Sequence, residues 1–182
     1  GETTGWYGDA AGGVGVSASA SYIGDLGFSH FIEKWSASAL KPAEDGNGWL
    51  IYQQAVLPAG AYTLTAAAFT DMPFNADETV TGHASACLAM GFGSTAVVEG
   101  DAIEWTEHEK YPGEVPVEEN QNKLEYLSIP SFYLGEAATA ENPVKLGIYI
   151  KADNEADWFG INDMKLYKVA PAATAVALDE TE

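Results

Sequence analysis

The apolar positions of Val144–Lys151 (VKLGIYIK) alternate strictly with the rest. Val144, Leu146, Ile148 and Ile150 fall on one side, and Lys145, Tyr149 and Lys151 on the other, which is the period-two mark of a half-buried strand. A polar loop, ADNEADW, leads into a second strand-like run, Phe159–Lys168 (FGINDMKLYK). The two runs are expected to pair and close a sandwich. Parity slips inside the second run. Phe159 and Ile161 share one side, Met164 and Leu166 the other, so a bulge is expected at Asn162–Asp163.

The same reading places strands at Phe28–Ser36, Trp49–Leu57, Ala61–Phe69, Thr81–Phe92 and Leu124–Leu134, with short ones around Trp6 and Val14–Tyr22. Leu57–Gly60 (LPAG) is a tight turn, because proline presets φ and glycine permits φ > 0. It predicts an antiparallel hairpin between Trp49–Leu57 and Ala61–Phe69. Ala84, Ala86, Leu88 and Met90 share a side, which suits close packing on another sheet. Val97–Lys110 reads as a strand or a short helical turn. Pro130 marks an edge strand or a bulge. Leu40–Gly48, Asp71–Glu78, Tyr111–Lys123 and Glu136–Pro143 are loops. The fold class is therefore all-β, a two-sheet antiparallel β-sandwich of jelly-roll type built from roughly eight strands. Residues 1–169 form that module, and 170–182 read as an acidic linker or tail toward a further domain.

Composition changes the picture mainly through charge. Eight lysines stand against 27 acidic residues, a net charge of −19. Nucleic acid is disfavoured as a partner, since phosphate binding needs clustered cations. No apolar run suggests membrane insertion. The carboxylates keep an exposed protein dispersed, and their oxygens also suit Ca²⁺. The one cysteine, Cys87, lies in an apolar run and reads as a packing residue. His83 and His108 lack the spacing of a zinc site, and no nucleophile-elbow, Walker or dinucleotide fingerprint occurs.

TGW at Thr4–Trp6, EKW at Glu33–Trp35 and YQQAVLPAGAYTLTAAAF at Tyr52–Phe69 follow one another in order. VKLGIYI at Val144–Ile150 and DWFGINDMKLY at Asp157–Tyr167 complete the series. Together they resemble galactose-binding-like jelly-roll modules, the architecture of many carbohydrate-binding modules and of accessory domains in secreted or surface proteins of gut anaerobic bacteria. The resemblance covers nearly all of Thr4–Lys168. It implies a non-catalytic module of a secreted or cell-surface multidomain protein, the export signal not being part of this stretch. It also implies a structural Ca²⁺ between an early acid and an acid of the last strand. Asp163 matches the second position, and Glu2 or Glu33 would supply the first.

Sugars present apolar C–H faces on which an exposed indole can stack, while neighbouring amides and carboxylates hold the hydroxyls. Trp49, Trp105 and Trp158 are the expected loop-rim aromatics, with Trp49 and Trp105 the exposed pair. Asp157 and Asn162 are their polar partners, and Trp35 is expected in the core. The expected partners are a glycan or cell-surface polysaccharide and the adjacent domains of the parent chain. The alternative is a structural or adhesion module without a small-molecule site. A glycoside hydrolase would need two carboxylates facing one cleft.

Overall fold

The computed structural model describes residues 4–8, 16–19, 31–71, 82–92, 96–103 and 125–170. Every described element is a strand. They are β1 (Trp6–Tyr7), β2 (Ser17–Ser19), β3 (Phe31–Trp35), β4 (Trp49–Ala55), β5 (Gly60–Asp71), β6 (Ala86–Phe92), β7 (Ala96–Ala102), β8 (Glu125–Leu134), β9 (Val144–Ile150) and β10 (Trp158–Val169). Two five-stranded sheets result. One, the front sheet, runs β1-β4-β9-β6-β7, and the other, the back sheet, runs β2-β3-β10-β5-β8. The described strands pair antiparallel throughout. The architecture is the expected two-sheet jelly-roll sandwich.

Alternation decides what lies between the sheets. Val144, Leu146, Ile148 and Ile150 of β9 are all buried, as are Ala86, Leu88 and Met90 of β6. From the back sheet they meet Leu64, Ala66 and Ala68 of β5, Leu127 and Ile129 of β8, and Phe159 and Ile161 of β10. Alanine recurs on β5 because sheets packed about 10 Å apart leave little room beside the larger aliphatics.

Two expected pairings do not form. β4 and β5 belong to different sheets, so LPAG is an arch between sheets and no hairpin. The turn chemistry itself is present. The Tyr62 hydroxyl donates to the Pro58 carbonyl at 2.5 Å, and Ala138 N donates to the Leu57 carbonyl at 2.8 Å. The latter bond holds the turn against 135–143 and leaves β5 free to enter the other sheet. β9 and β10 likewise lie in separate sheets. In both cases each strand buries one face against the facing layer, which requires it to leave its sequence neighbour.

Irregularities fall where residue types predict them. Pro130 lies on β8, an edge strand, at the register shift opposite Tyr62–Leu64. β10 bulges between Asn162 and Lys165, and Asp163 takes φ 49° there. The tail 171–182 lies outside the described residues.

Candidate functional site

The outward face of the front sheet is aromatic. Trp49 opens β4 directly opposite Tyr149 of β9, and Tyr52 lies opposite Gly147. β1 adds Tyr7 opposite Tyr52. The rings form a chain. Tyr149 meets Trp49 edge-on at 5.6 Å, Trp49 meets Tyr52 at 5.6 Å, and Tyr52 stacks on Tyr7 at 5.5 Å. Lys145 Nζ sits 4.5 Å from the centre of the Tyr52 ring, a cation–π contact. Gly147 is required beneath, since a Cβ there would lie 2.0 Å from the Ile51 carbonyl oxygen. Cys87 and Ala89 of β6 complete the floor. Burial pushes the Cys87 thiol up to about 11, so it packs as a neutral group.

One end of this chain of rings opens into a cleft of about 530 Å³ between residues 41–46 and 149–152. Local hydrogen bonds build its first wall. Asp45 Oδ1 accepts from Asn47 N at 2.9 Å, and Asn47 Oδ1 accepts from Trp49 N at 3.0 Å. Gly46, at φ 83°, donates to the Ala43 carbonyl. Such Asx bonds and one left-handed glycine make a defined turn. The second wall is Tyr149, held by Trp49 behind it. Gly48 is packed so closely that a Cβ would lie 2.8 Å from the Tyr149 ring. Charged groups stand along the rim. Lys41 Nζ donates to the Asn154 carbonyl, Glu44 is exposed, and Lys151 pairs with Glu99 at 2.8 Å. The cleft thus offers one partly buried ring with cationic and carboxylate groups around it, the components of a sugar site.

Buried Asn154 fixes this end of the sandwich. Its Nδ2 donates to the Leu40 and Ala156 carbonyls at 2.8 Å each. Its Oδ1 accepts from Ser85 N at 3.0 Å and Ala156 N at 3.3 Å. Outside it, His83 Nδ1 lies 2.7 Å from Glu155 Oε2 and Nε2 lies 3.5 Å from Asp153 Oδ2. The hydrogen bond to Glu155, then that to Asp153, holds the imidazole above its ordinary value. Both carboxyls lie below theirs: Glu155 through its bonds to His83, and Asp153 chiefly through Ser85 and then His83.

The expected site residues are not assembled as one rim. Trp49 is only 5 % exposed, and its role is to back Tyr149. The expected exposure is corrected: an indole starting a central strand is covered by the rings of its neighbours. Trp158 is buried on the back sheet, where it donates to Glu33 Oε2 at 2.8 Å and packs on Phe31 and Phe69. Trp35, expected in the core, is 57 % exposed. It lies opposite Trp158 on the outward side of β3. Asp157 is partly buried, which pushes its carboxyl up, and its carbonyl accepts from Ser36 N. Asn162 sits in the bulge and accepts from Asp163 N at 2.6 Å. Trp105 lies outside the described residues.

Among the described residues, the carboxylates expected to hold calcium have other partners. Asp163 is paired with Lys165 at 2.8 Å. Glu33 accepts from the Trp158 indole and from Ser17 Oγ at 3.1 Å. Ca²⁺ takes six to eight oxygens, and among the described residues no group of three or more His, Cys, Asp or Glu side chains is arranged to hold a metal ion. Glu2 lies outside them. Tyr149, missed as a site residue, did carry a signal: an aromatic side chain at an outward position of a half-buried strand.

No family model and no curated protein matches the chain. Among solved structures it is similar to that of TmCBM61, a carbohydrate-binding module in complex with β-1,4-galactotriose. The TM-score is 0.53 at 15 % identity, over 93 % of this chain and 92 % of that one. At that identity the likeness is one of fold.

Proposed function

We propose that this protein is a non-catalytic glycan-binding module of a secreted or cell-surface bacterial protein, and that the cleft beside Tyr149 receives the sugar. The observation that carries the reading is the Tyr149 ring, held edge-on by Trp49 at the mouth of an open cleft with charged groups around it. The shared fold with a module solved on a galactotriose supports the ligand class. In this arrangement a pyranose C–H face lies on Tyr149, while Glu44 and Lys41 reach its hydroxyls. None of these contacts uses a metal.

A glycan array, read in calcium and again in EDTA, tests the proposal with Tyr149→Ala and Tyr149→Phe beside the parent protein. Binding is expected to survive EDTA, to persist in Tyr149→Phe, and to fall at least about tenfold in Tyr149→Ala. Trp49→Ala is expected to lose both binding and about 3 kcal/mol of stability, because it empties the support behind the ring. Unchanged binding in a folded Tyr149→Ala protein defeats the cleft as the site. The second reading, a structural or adhesion module, is favoured by one observation: Trp49 and Trp158 are both buried. No glycan binding by the folded parent protein would establish it.

A further inference from the structure

The outward face of the back sheet carries a second set of aromatics that the cleft does not use. β5 runs between β10 and β8. Its inward residues Leu64, Ala66 and Ala68 belong to the core. Its outward residues between them and at their flanks are therefore Ala61, Thr63, Thr65 and Ala67. Register places three tyrosines along this strip of small residues. Tyr126 stands opposite Ala67 and Tyr133 opposite Ala61, both on β8, while Tyr167 stands opposite Thr63 on β10. The tyrosines are 67 %, 76 % and 52 % exposed respectively. The result is a shallow trough with a small-residue floor and a phenol ring on either bank.

Its dimensions follow from strand geometry. From Ala67 to Ala61 is six residue steps, about 20 Å at ~3.3 Å per residue. The banks are two interstrand spacings apart, about 10 Å. Ala67 is fully buried, so the accessible floor is the narrow strip from Thr65 to Ala61, which suits an extended chain better than a compact ligand.

Charge narrows the class of occupant. In a chain of net charge −19 the described part of this strip carries one ion pair, Asp163 with Lys165, which compensates itself. An anionic or cationic polymer finds no counter-charge there. The floor also lacks the contiguous aliphatic patch that the centre of a protein interface presents. Thr63 and Thr65 put hydroxyls where leucine or isoleucine would stand, and the Thr63 hydroxyl is already fixed by donation to the Pro130 carbonyl at 2.9 Å. Phenol rings above a hydroxyl-bearing floor match a ligand with alternating apolar faces and hydroxyl edges.

We infer that the trough along β5 is a second binding surface, taking an extended stretch of a neutral polysaccharide while the cleft beside Tyr149 takes a shorter sugar unit. The inference rests on the glycan-binding reading for its ligand class alone; its location comes from the back sheet. A protein bearing both sites holds a polymer more tightly than a short oligosaccharide.

The test compares soluble β-1,4-galactan and a panel of other neutral polysaccharides, by affinity electrophoresis, with β-1,4-galactotriose and matching trisaccharides, by calorimetry. The variants are Tyr126→Ala/Tyr167→Ala, the corresponding double Phe variant, and Tyr149→Ala, each checked for an unchanged melting curve. The double Ala variant is expected to lose at least about tenfold in affinity for the bound polymer, with trisaccharide binding unchanged. The double Phe variant is expected to bind as the parent does, which separates loss of the rings from damage to the sheet. Polymer binding equal to the parent's in the folded double Ala variant overturns the trough and leaves the cleft standing. Failure of the parent protein to bind any glycan of the panel overturns both. A parent protein that is dimeric in solution and becomes monomeric on the double Ala substitution identifies the occupant as a second copy of the chain, and likewise overturns the inference.

Discussion

At the scale of the residue, pH acts through a surface cluster around His83. His83 joins the chain just before β6 to the loop before β10 through Glu155 and Asp153, all three on the surface. Its pKa is raised above the ordinary 6.5, chiefly by the hydrogen bond to Glu155. A raised histidine stabilises the fold fully below about 6.5, and this contribution disappears as pH rises through the folded value. Glu155 and Asp153 are lowered from 4.5 and 3.8, so their part is present above those values and is lost on acidification. The latch is therefore strongest between roughly pH 4.5 and 6.5. Thermal melts of the parent and of His83→Ala are expected to differ at pH 5.5 and to coincide at pH 8.5. A gap that is the same at both pH values would show that His83 acts by packing. Burial at a single position is the least legible property at this scale. Trp49 and Trp35 exchange the exposures their sequence contexts suggest; the Trp49 indole is covered in part by the Tyr149 ring of β9, a neighbour that sequence does not place beside it.

At the scale of the element, strands were legible and their partners were not. Alternation in β9 and the parity slip in β10 correspond to a half-buried strand and a real bulge. Pro130 lies on an edge strand at a register shift, where its missing N–H costs no ladder bond. Pairing followed another rule. LPAG has hairpin chemistry, yet β4 and β5 enter different sheets, because turn residues set the local reversal of the chain while burial of two opposing faces sets which layer each strand joins. The connection from β9 to β10, which also crosses between the sheets, is pinned by Asn154, whose amide satisfies backbone groups of residues 40, 85 and 156. Asn154→Ala leaves those groups unpaired in the interior. It is expected to cost on the order of 3 kcal/mol, a fall in Tm of about 9 °C, and Asn154→Asp is expected to cost at least as much by burying a charge without two of its donors. A melt within about 2 °C of the parent's would mean that the loop repacks around the loss.

At the scale of the molecule, charge and topology act together. A net charge of −19 on one sandwich is self-repulsive, and counter-ions screen repulsion between exposed carboxylates. Raising NaCl from about 10 mM to about 300 mM is therefore expected to raise Tm, the Debye length falling from ~30 Å to well under 10 Å; a fall would show that surface pairs such as Lys151–Glu99 outweigh the general repulsion. By itself the sequence determined the all-β class, most strand positions, the inward faces of β6 and β9, the β10 bulge and the strongly acidic charge balance. These follow from period-two hydrophobicity, turn chemistry and summed charge, which are properties of neighbouring residues or of the whole composition. Tertiary structure alone decided which strands share a sheet, that Trp49 lies behind Tyr149, that Asp163 is occupied by Lys165, and that Tyr126, Tyr133 and Tyr167 line one trough. Each of these joins residues far apart in the chain, and the energy that brings them together is burial of apolar area between layers, which is additive over the molecule and carries no record at any one position of which distant partner will supply it.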